Sequence, residues 1–250
     1  NSRSNYKEKL MEHLLNYDWH RGNHSVKLLA GYSAQQKTNE FLSVTSEGKT
    51  VVRTVVNGSI VETEVPGGFP DPDFNTISAG LGGTFSASGS NNKYVRLSTF
   101  GRANYDYAGK YLLQVSVRRD GSSIFGKNNQ FGVFPSVSAG WNLHKESFMS
   151  NLSWLNALKL RASYGELGNE GALGYYDHQA LITTINRWNG GYTQGSGATP
   201  WPGSASYSLQ NRDLKWETSK STNIGIDFSV LDQKISGSLN YFNNKTEGLL

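Results

Sequence analysis

Between Val95 and Tyr107 apolar and polar residues change places at almost every step. Val95, Leu97, Thr99, Ala103, Tyr105 and Tyr107 fall on one face, and Arg96, Ser98, Arg102, Asn104 and Asp106 on the other. A period of two belongs to an extended strand with one apolar and one wet face. A helix, with its period of about 3.6 residues, cannot sort these residues so. The same alternation predicts eight strands, at 9–20, 24–38, 93–107, 110–120, 132–143, 157–167, 214–230 and 234–244. Leu29, Phe100, Leu112 and Phe134 interrupt the polar face, and His13 falls on the apolar one.

The connections alternate in length. Arg21-Gly22-Asn23, Ala108-Gly109 and Leu231-Asp232-Gln233 are short, and Gly and Asn there are expected to supply the positive φ of tight hairpins. The stretches 39–92, 119–131 and 166–213 are long and rich in Gly, Ser, Asn and Pro. Short turns at one end and long loops at the other are the asymmetry of an outer-membrane β-barrel, with turns in the periplasm and loops outside. The stretch 144–156 departs from this. It contains Glu146-Ser147-Phe148 and Leu152-Ser153-Trp154-Leu155 and is expected to form a short amphipathic turn on the periplasmic side. Aromatic residues gather near the short turns: Tyr17 and Trp19, then Tyr105, Tyr107 and Tyr111, then Trp141 and Phe228, with Tyr241 farther off. Most would form a girdle at the inner interface, where amphipathic rings settle.

Composition sharpens this picture. The chain has 250 residues, 28 of them Gly and 6 Pro, with 13 Tyr and 6 Trp. Mean hydropathy is −0.51, and no apolar run reaches the roughly 18 residues that a spanning helix requires. Barrel strands escape that test, because half of their residues are polar. Cys is absent, which excludes a disulfide scaffold and a thiolate metal site. The net charge of +4 is scattered through the strands and leaves no nucleic-acid footprint. The chain opens at Asn1-Ser2-Arg3-Ser4 and stops after Gly248-Leu249-Leu250, so it is expected to be a piece of a longer protein.

Three motifs then carry a resemblance. Arg119-Asp120-Gly121-Ser122-Ser123 leads through Phe125-Gly126-Lys127-Asn128-Asn129 to the run Phe131–Trp141. Leu158–Gly165 is followed by Gly168-Asn169, and Leu214-Lys215-Trp216-Glu217-Thr218 by Thr222–Asp227. In this order they resemble the signature of SusC/RagA-type TonB-dependent outer-membrane transporters, over most of 93–250. Residues 1–92 match in pattern alone. The resemblance implies an all-β chain, about eight strands of an antiparallel transmembrane barrel of about 22 with a plugged lumen. Residues 1–250 would be a C-terminal portion of that barrel, without the plug domain and signal peptide. It further implies a SusD-like surface lipoprotein as lid, TonB acting through the missing plug region, and uptake of glycan or peptide fragments in bacteria of the Bacteroidetes kind.

Other candidate chemistry is weaker. Gly121 to Asn128 approaches a phosphate-binding loop, but Asn128 stands where a hydroxyl must follow the Lys, and a strand rather than a helix comes next. His20 and His24 flank a turn, and His13, His144 and His178 have no evident partners, so no metal and no cofactor is expected. Asp71 with Asp73, or Glu166, Glu170 and Asp177, could be imagined as hydrolytic acids, yet nothing in the sequence separates their pKa values. The sequons at Asn57, Asn151 and Asn244 are chance matches. The loop 166–213 is more informative. Tyr175, Tyr176, Trp188, Tyr192 and Trp201 stand there among Gly and Asn, in a composition suited to stacking on sugar rings, to meeting a lid, or to packing the loop on itself. The expected function is a segment of an outer-membrane nutrient importer, not an enzyme. The rivals are a soluble β-sandwich that holds polysaccharide and a hydrolase that uses Glu166 or Asp177.

Overall fold

The computed structural model describes residues 2–66, 83–185, 203–206 and 208–248. Its strands are β1 Ser2–Arg21, β2 His24–Val56, β3 Ser59–Pro66, β4 Gly83–Tyr107, β5 Tyr111–Ser122, β6 Phe131–Asn142, β7 Leu155–Asn169, β8 Ile182–Ile185, β9 Gly203–Ser206, β10 Glu217–Val230 and β11 Ile235–Glu247. Two 3-10 turns, Leu143–Lys145 and Ser147–Met149, lie between β6 and β7. One sheet takes β1, β2, β4, β5, β6, β7, β10 and β11 as successive neighbours, with β3 attached to β2, and β8 pairs with β9 apart from it. The eight predicted strands are therefore the eight of the sheet path. Three short or distal elements, β3, β8 and β9, fall where loops were expected.

The chain divides into two compact units. The smaller holds residues 1–9 and 37–93. In it β2 and β3 form a hairpin whose turn, Asn57-Gly58, has both φ angles positive (51° and 80°), with Val56 opposite Ser59 and Arg53 bonded to Glu62 at 2.7 Å. Asn-Gly suits such a turn because Asn tolerates the left-handed region and Gly has no Cβ to clash. The 39–92 expectation is corrected accordingly: 39–56, 59–66 and 83–92 lie in strands, whose sequence shows no regular alternation and so no apolar stripe, while 67–82 fall outside the described residues.

The larger unit holds 10–36 and 94–250. Across it Tyr107, Tyr111, Trp141, Leu160, Ile226 and Leu239 stand opposite one another in sequence from β4 to β11. Four residues farther along, Ala103, Val115, Val137, Tyr164 and Thr222 do the same. Because side chains alternate, Leu97, Ala103, Tyr105, Val115, Val117, Leu160 and Ile226 share one face, as the alternation predicts. The rung Asn104–Gln114–Ser138–Ser163–Asn223 belongs to the opposite, polar face. A sheet that buried its apolar side would hide Val115 and Val117, yet both are about half exposed.

The residues that interrupt the polar face have a steric reason. Phe100 lies over Gly31, and Phe134 covers Gly132 and Gly168, so a Cβ on any of these glycines would run into the ring. Leu112 sits over Gly140, where an added Cβ would meet its Cδ1 at 3.4 Å. Each large side chain fills the space that a neighbouring strand leaves by carrying glycine. Leu29 has no such partner.

At the end where the short connections lie, the turns are bonded to one another. Ala108 N–H donates to Asn23 O (2.7 Å), Asn142 Nδ2 to Gly109 O (2.7 Å), Leu231 N–H to Trp154 O (2.8 Å) and Gln233 N–H to Asn156 Oδ1 (3.1 Å). The expectation that Gly and Asn supply all positive φ is corrected. Gly22 and Gly109 do, but so do Ala108, Leu231, Asp232 and Gln233, at φ of 54° to 64°. The left-handed region costs an ordinary residue about 1–2 kcal/mol. The bonds from the next turn hold the backbone there.

Candidate functional site

Rings and a carboxylate organise the turn end. Tyr107, Tyr111 and Trp141 stack in line on the apolar face, with centroids 6.3 and 6.1 Å apart, and His24 packs on Tyr107 and bonds the Tyr105 hydroxyl at 2.8 Å. Glu146 accepts from Tyr111 Oη (2.7 Å), Trp141 Nε1 (3.0 Å) and Lys110 Nζ (3.0 Å). These donors favour the ionised form, the Tyr111 hydroxyl most, and hold the carboxyl at about 2 against an ordinary 4.5. No periodic signal points to Glu146, because its partners come from two strands and a turn.

The loop end is built inward. Asp120, buried on the polar face, accepts Arg118 Nε on both oxygens (2.7 and 2.8 Å), while Arg118 Nη2 donates to Ser98 Oγ (2.9 Å). Arg96 approaches Asp120 at 3.6 Å and Glu170 at 3.9 Å, and Tyr94 donates its hydroxyl to Glu170. At the same end Phe125, Phe134, Leu214 and Trp216 form a cluster with Leu173 against it, and Phe125 is wholly buried. The Phe125 and Trp216 rings lie 4.6 Å apart. Asn128 and Asn129 reach Asp213 at 3.4 and 3.1 Å, and His178 Nδ1 donates to Ile124 O at 2.8 Å. The three chain segments that carry the family-like motifs thus meet at one end of the polar face. Among the described residues the buried side-chain atoms without a hydrogen-bond partner, Arg96 Nε, Glu170 Oε2 and Trp216 Nε1, all lie here.

Between the two ends the polar face holds a hollow of about 590 Å³, lined by His20, Lys27, Asn104, Gln114, Lys159 and Arg161 among others. Arg161 is clamped by Asp227, with Nε–Oδ2 at 3.0 Å and Nη2–Oδ1 at 3.2 Å, and also touches Asn240. On the apolar face Tyr111, Leu113, Trp141, Leu160 and Ile226 border a groove of about 770 Å³. Its walls offer scarcely a polar group to orient a ligand, which suits acyl chains better than a solute.

Of the loop aromatics expected to meet a substrate or a lid, Tyr175 stands edge-on to Tyr94 with centroids 6.3 Å apart, and Tyr176 lies 6.4 Å from Tyr175. Trp188, Tyr192 and Trp201 fall outside the described residues, as do Asp71 and Asp73. The remaining acids have structural partners: Glu166 accepts from Tyr164 Oη (2.6 Å), Glu170 from Tyr94, and Asp177 from Gly174 N–H (2.6 Å). His20 lines the polar hollow while His24 joins the rings of the other face, and among the described residues no group of His, Asp and Glu is arranged for a metal. Gly121 to Asn128 is the tip of the β5–β6 connection, with Ile124 and Phe125 buried, and β6 rather than a helix follows it.

The sequence matches the family described as TonB dependent receptor-like, beta-barrel over residues 2–250. The chain belongs to that family. It is 33% identical to TonB-dependent receptor P3 of Formosa agariphila over 241 residues, 96% of this chain and 21% of that protein. It is 33% identical to TonB-dependent receptor SusC of Bacteroides thetaiotaomicron over 154 residues, 62% of this chain and 15% of that one. The chain therefore spans about a fifth of the length of the curated relatives it matches. In fold it follows the solved RagAB peptide transporter, with a TM-score of 0.75 at 23% identity, covering 98% of this chain and 24% of that one. The apolar face of the larger unit is then the lipid face of an outer-membrane receptor barrel. The family consists of receptors and transporters rather than enzymes, and the sheet of this chain is an open stretch of the barrel wall with β1 and β11 as its edges.

Proposed function

We propose that this chain is a C-terminal part of the wall of a TonB-dependent importer that takes up oligosaccharides or peptides together with a SusD-like surface lipoprotein, and that the plug domain and signal peptide belong to the parent chain. The short turns 21–23, 108–109 and 231–233 face the periplasm, and the stretches 39–92, 119–131 and 166–213 lie toward the outside. The observation that carries this reading is the contrast between the two ends of the polar face. Among the described residues only the loop end gathers rings, paired charges and unmet buried polar atoms into one place, which is what a binding end requires. In this reading the loop 166–213, with Tyr175, Tyr176, Trp188, Tyr192 and Trp201, contains the cargo or meets the lid, since buried aromatics dominate recognition energy. RagAB, the solved relative in fold, is a peptide transporter, which supports the peptide part of this proposal.

The experiment is a loop excision. Ile182 and Ser206 are partners across β8 and β9, so their Cα atoms lie close enough for a short Gly-Ser link to replace 183–205. In the full-length receptor this should abolish uptake or lid association, while heat-dependent gel migration shows that the barrel still folds. Unchanged uptake and unchanged lid binding in the folded receptor would remove 183–205, with Trp188, Tyr192 and Trp201, from the function.

A further inference from the structure

The β6–β7 connection is unlike the other turns at its end. They are short, whereas this one runs through two 3-10 turns between Asn142 and Leu155. It carries large apolar side chains that no described residue covers: Phe148 is 64% exposed, Trp154 52% and Leu152 37%. Its direction is set by Glu146. That carboxylate is bonded to Tyr111 Oη and Trp141 Nε1, and both rings belong to the lipid face, so the base of the connection is tied to the outside of the wall and not to the lumen. Lys110 and Lys145 sit at the same base, Lys110 on Glu146 and Lys145 beside Gly109, and His144 is held by the Leu158 backbone. Apolar tips beside basic residues, at the level of an aromatic girdle, have the composition of a segment that lies in a membrane interface.

We infer that residues 143–155 form an interfacial anchor that inserts Phe148, Leu152 and Trp154 into the headgroup and upper acyl region of the adjoining phospholipid leaflet. The inference rests on the reading of the apolar face as the lipid face, with which this patch is continuous. A lipid occupant fits better than a protein one, because the patch adjoins the ring row Tyr107, Tyr111 and Trp141, whose own groove is nearly without polar groups and suits acyl chains. The anchor would fix the depth of the wall at its turn end, where the other turns have no large apolar tip of this kind apart from Leu231.

The test uses the full-length receptor, with cysteines elsewhere removed, in phosphatidylethanolamine–phosphatidylglycerol vesicles. Single cysteines at Phe148, Leu152, Asp232 and Val115 carry a bimane probe. The expected result is that lipid bearing a nitroxide near the headgroup quenches most of the emission from Phe148→Cys and Leu152→Cys, that aqueous iodide quenches little of it, and that Asp232→Cys behaves in the opposite way. Val115→Cys, in mid-wall, reports on the barrel itself and responds to a nitroxide deep in the chain region. Iodide quenching at both anchor sites would overturn the inference, and so would protection from both quenchers, which would mean that protein covers the patch. If Val115→Cys also fails to see lipid, the lipid-face reading itself has failed.

Discussion

The turn end and the loop end of this wall are both rich in aromatic rings, but they use them on opposite faces. At the turn end Tyr107, Tyr111 and Trp141 stand on the apolar face, where they bridge hydrocarbon and water, and the polar atoms of Tyr111 and Trp141 are collected by Glu146. At the loop end Phe125, Phe134 and Trp216 pack on one another, at the same end of the sheet as the buried Asp120 and its partner Arg118. The same residue types thus serve a boundary in one place and an interior in the other. The difference follows from what surrounds them. A girdle needs an amphipathic surface, and a loop folded across the lumen needs a core of its own. From Tyr111 to Arg119 the apolar face of β5 runs about 27 Å along the strand at about 3.4 Å per residue, and at the tilt of about 35–45° of such strands it climbs about 19–22 Å, most of the apolar band of about 25 Å in outer-membrane barrels. Arg119, packed 4.0 Å over the Phe131 ring, marks the upper limit of that band.

The largest effect should come from breaking the inward cluster. Phe125 is wholly buried, so Phe125→Ala should cost about 3–5 kcal/mol locally, as large-to-small changes at aromatic core sites do. Since the cluster joins segments 122–130, 170–178 and 208–216, hydrogen exchange in the full-length receptor should accelerate in all three together and stay unchanged in the mid-wall of β5 and β6. Acceleration of the first segment alone would show that the cluster does not couple them.

The next effect sharpens the difference between faces. Val115 and Ser116 are sequence neighbours that point to opposite sides of the sheet. Val115→Arg should cost about 2–4 kcal/mol, because it places a charge near the middle of the lipid face, and Ser116→Arg much less. Urea titration of the receptor in vesicles measures both, and equal costs would contradict the assignment of faces.

What the sequence displays and what it hides can be seen at particular residues. The wall from Val95 to Asn142 was legible, because membrane on one side and water on the other impose the strongest alternation a strand can carry. The strands β2 and β4 run farther than predicted, to Val56 and back to Gly83, because an apolar stripe is no longer needed there and the period loses contrast. Asn57-Gly58 was a visible hairpin signal, but its flanks, Val55-Val56 and Ile60-Val61, are apolar in pairs and do not alternate, so the stretch read as a loop. The loop-end site was legible only as a set of motifs. That Arg119–Trp141, Leu158–Asn169 and Leu214–Asp227 meet at one place follows from pairings that no local pattern encodes. Tyr94 and Glu170 are 76 residues apart, and nothing in either neighbourhood announces the other.

The smallest effect concerns the outward knot and its dependence on pH. Glu146 titrates near 2 where it is bonded by Tyr111, Trp141 and Lys110, and near 4.5 when those bonds are lost. A group with a lowered folded pKa stabilises above its unfolded value and loses that contribution as pH falls toward the folded one. The contribution should therefore be complete above about pH 4.5 and vanish on the way to about pH 2. In Glu146→Gln the ionised acceptor is absent at every pH. The readout is hydrogen exchange of the backbone amides at Lys110, Asn142 and Glu146, compared between the two proteins from pH 6 to pH 2 after correction for intrinsic rates. Wild type should be better protected than Glu146→Gln above pH 4.5, and the two should converge below it. The loop-end amides around Phe125 should show no such difference between the two proteins, since that cluster does not touch Glu146. A constant gap at all pH values would mean that the carboxylate's shape, and not its charge, holds the rim.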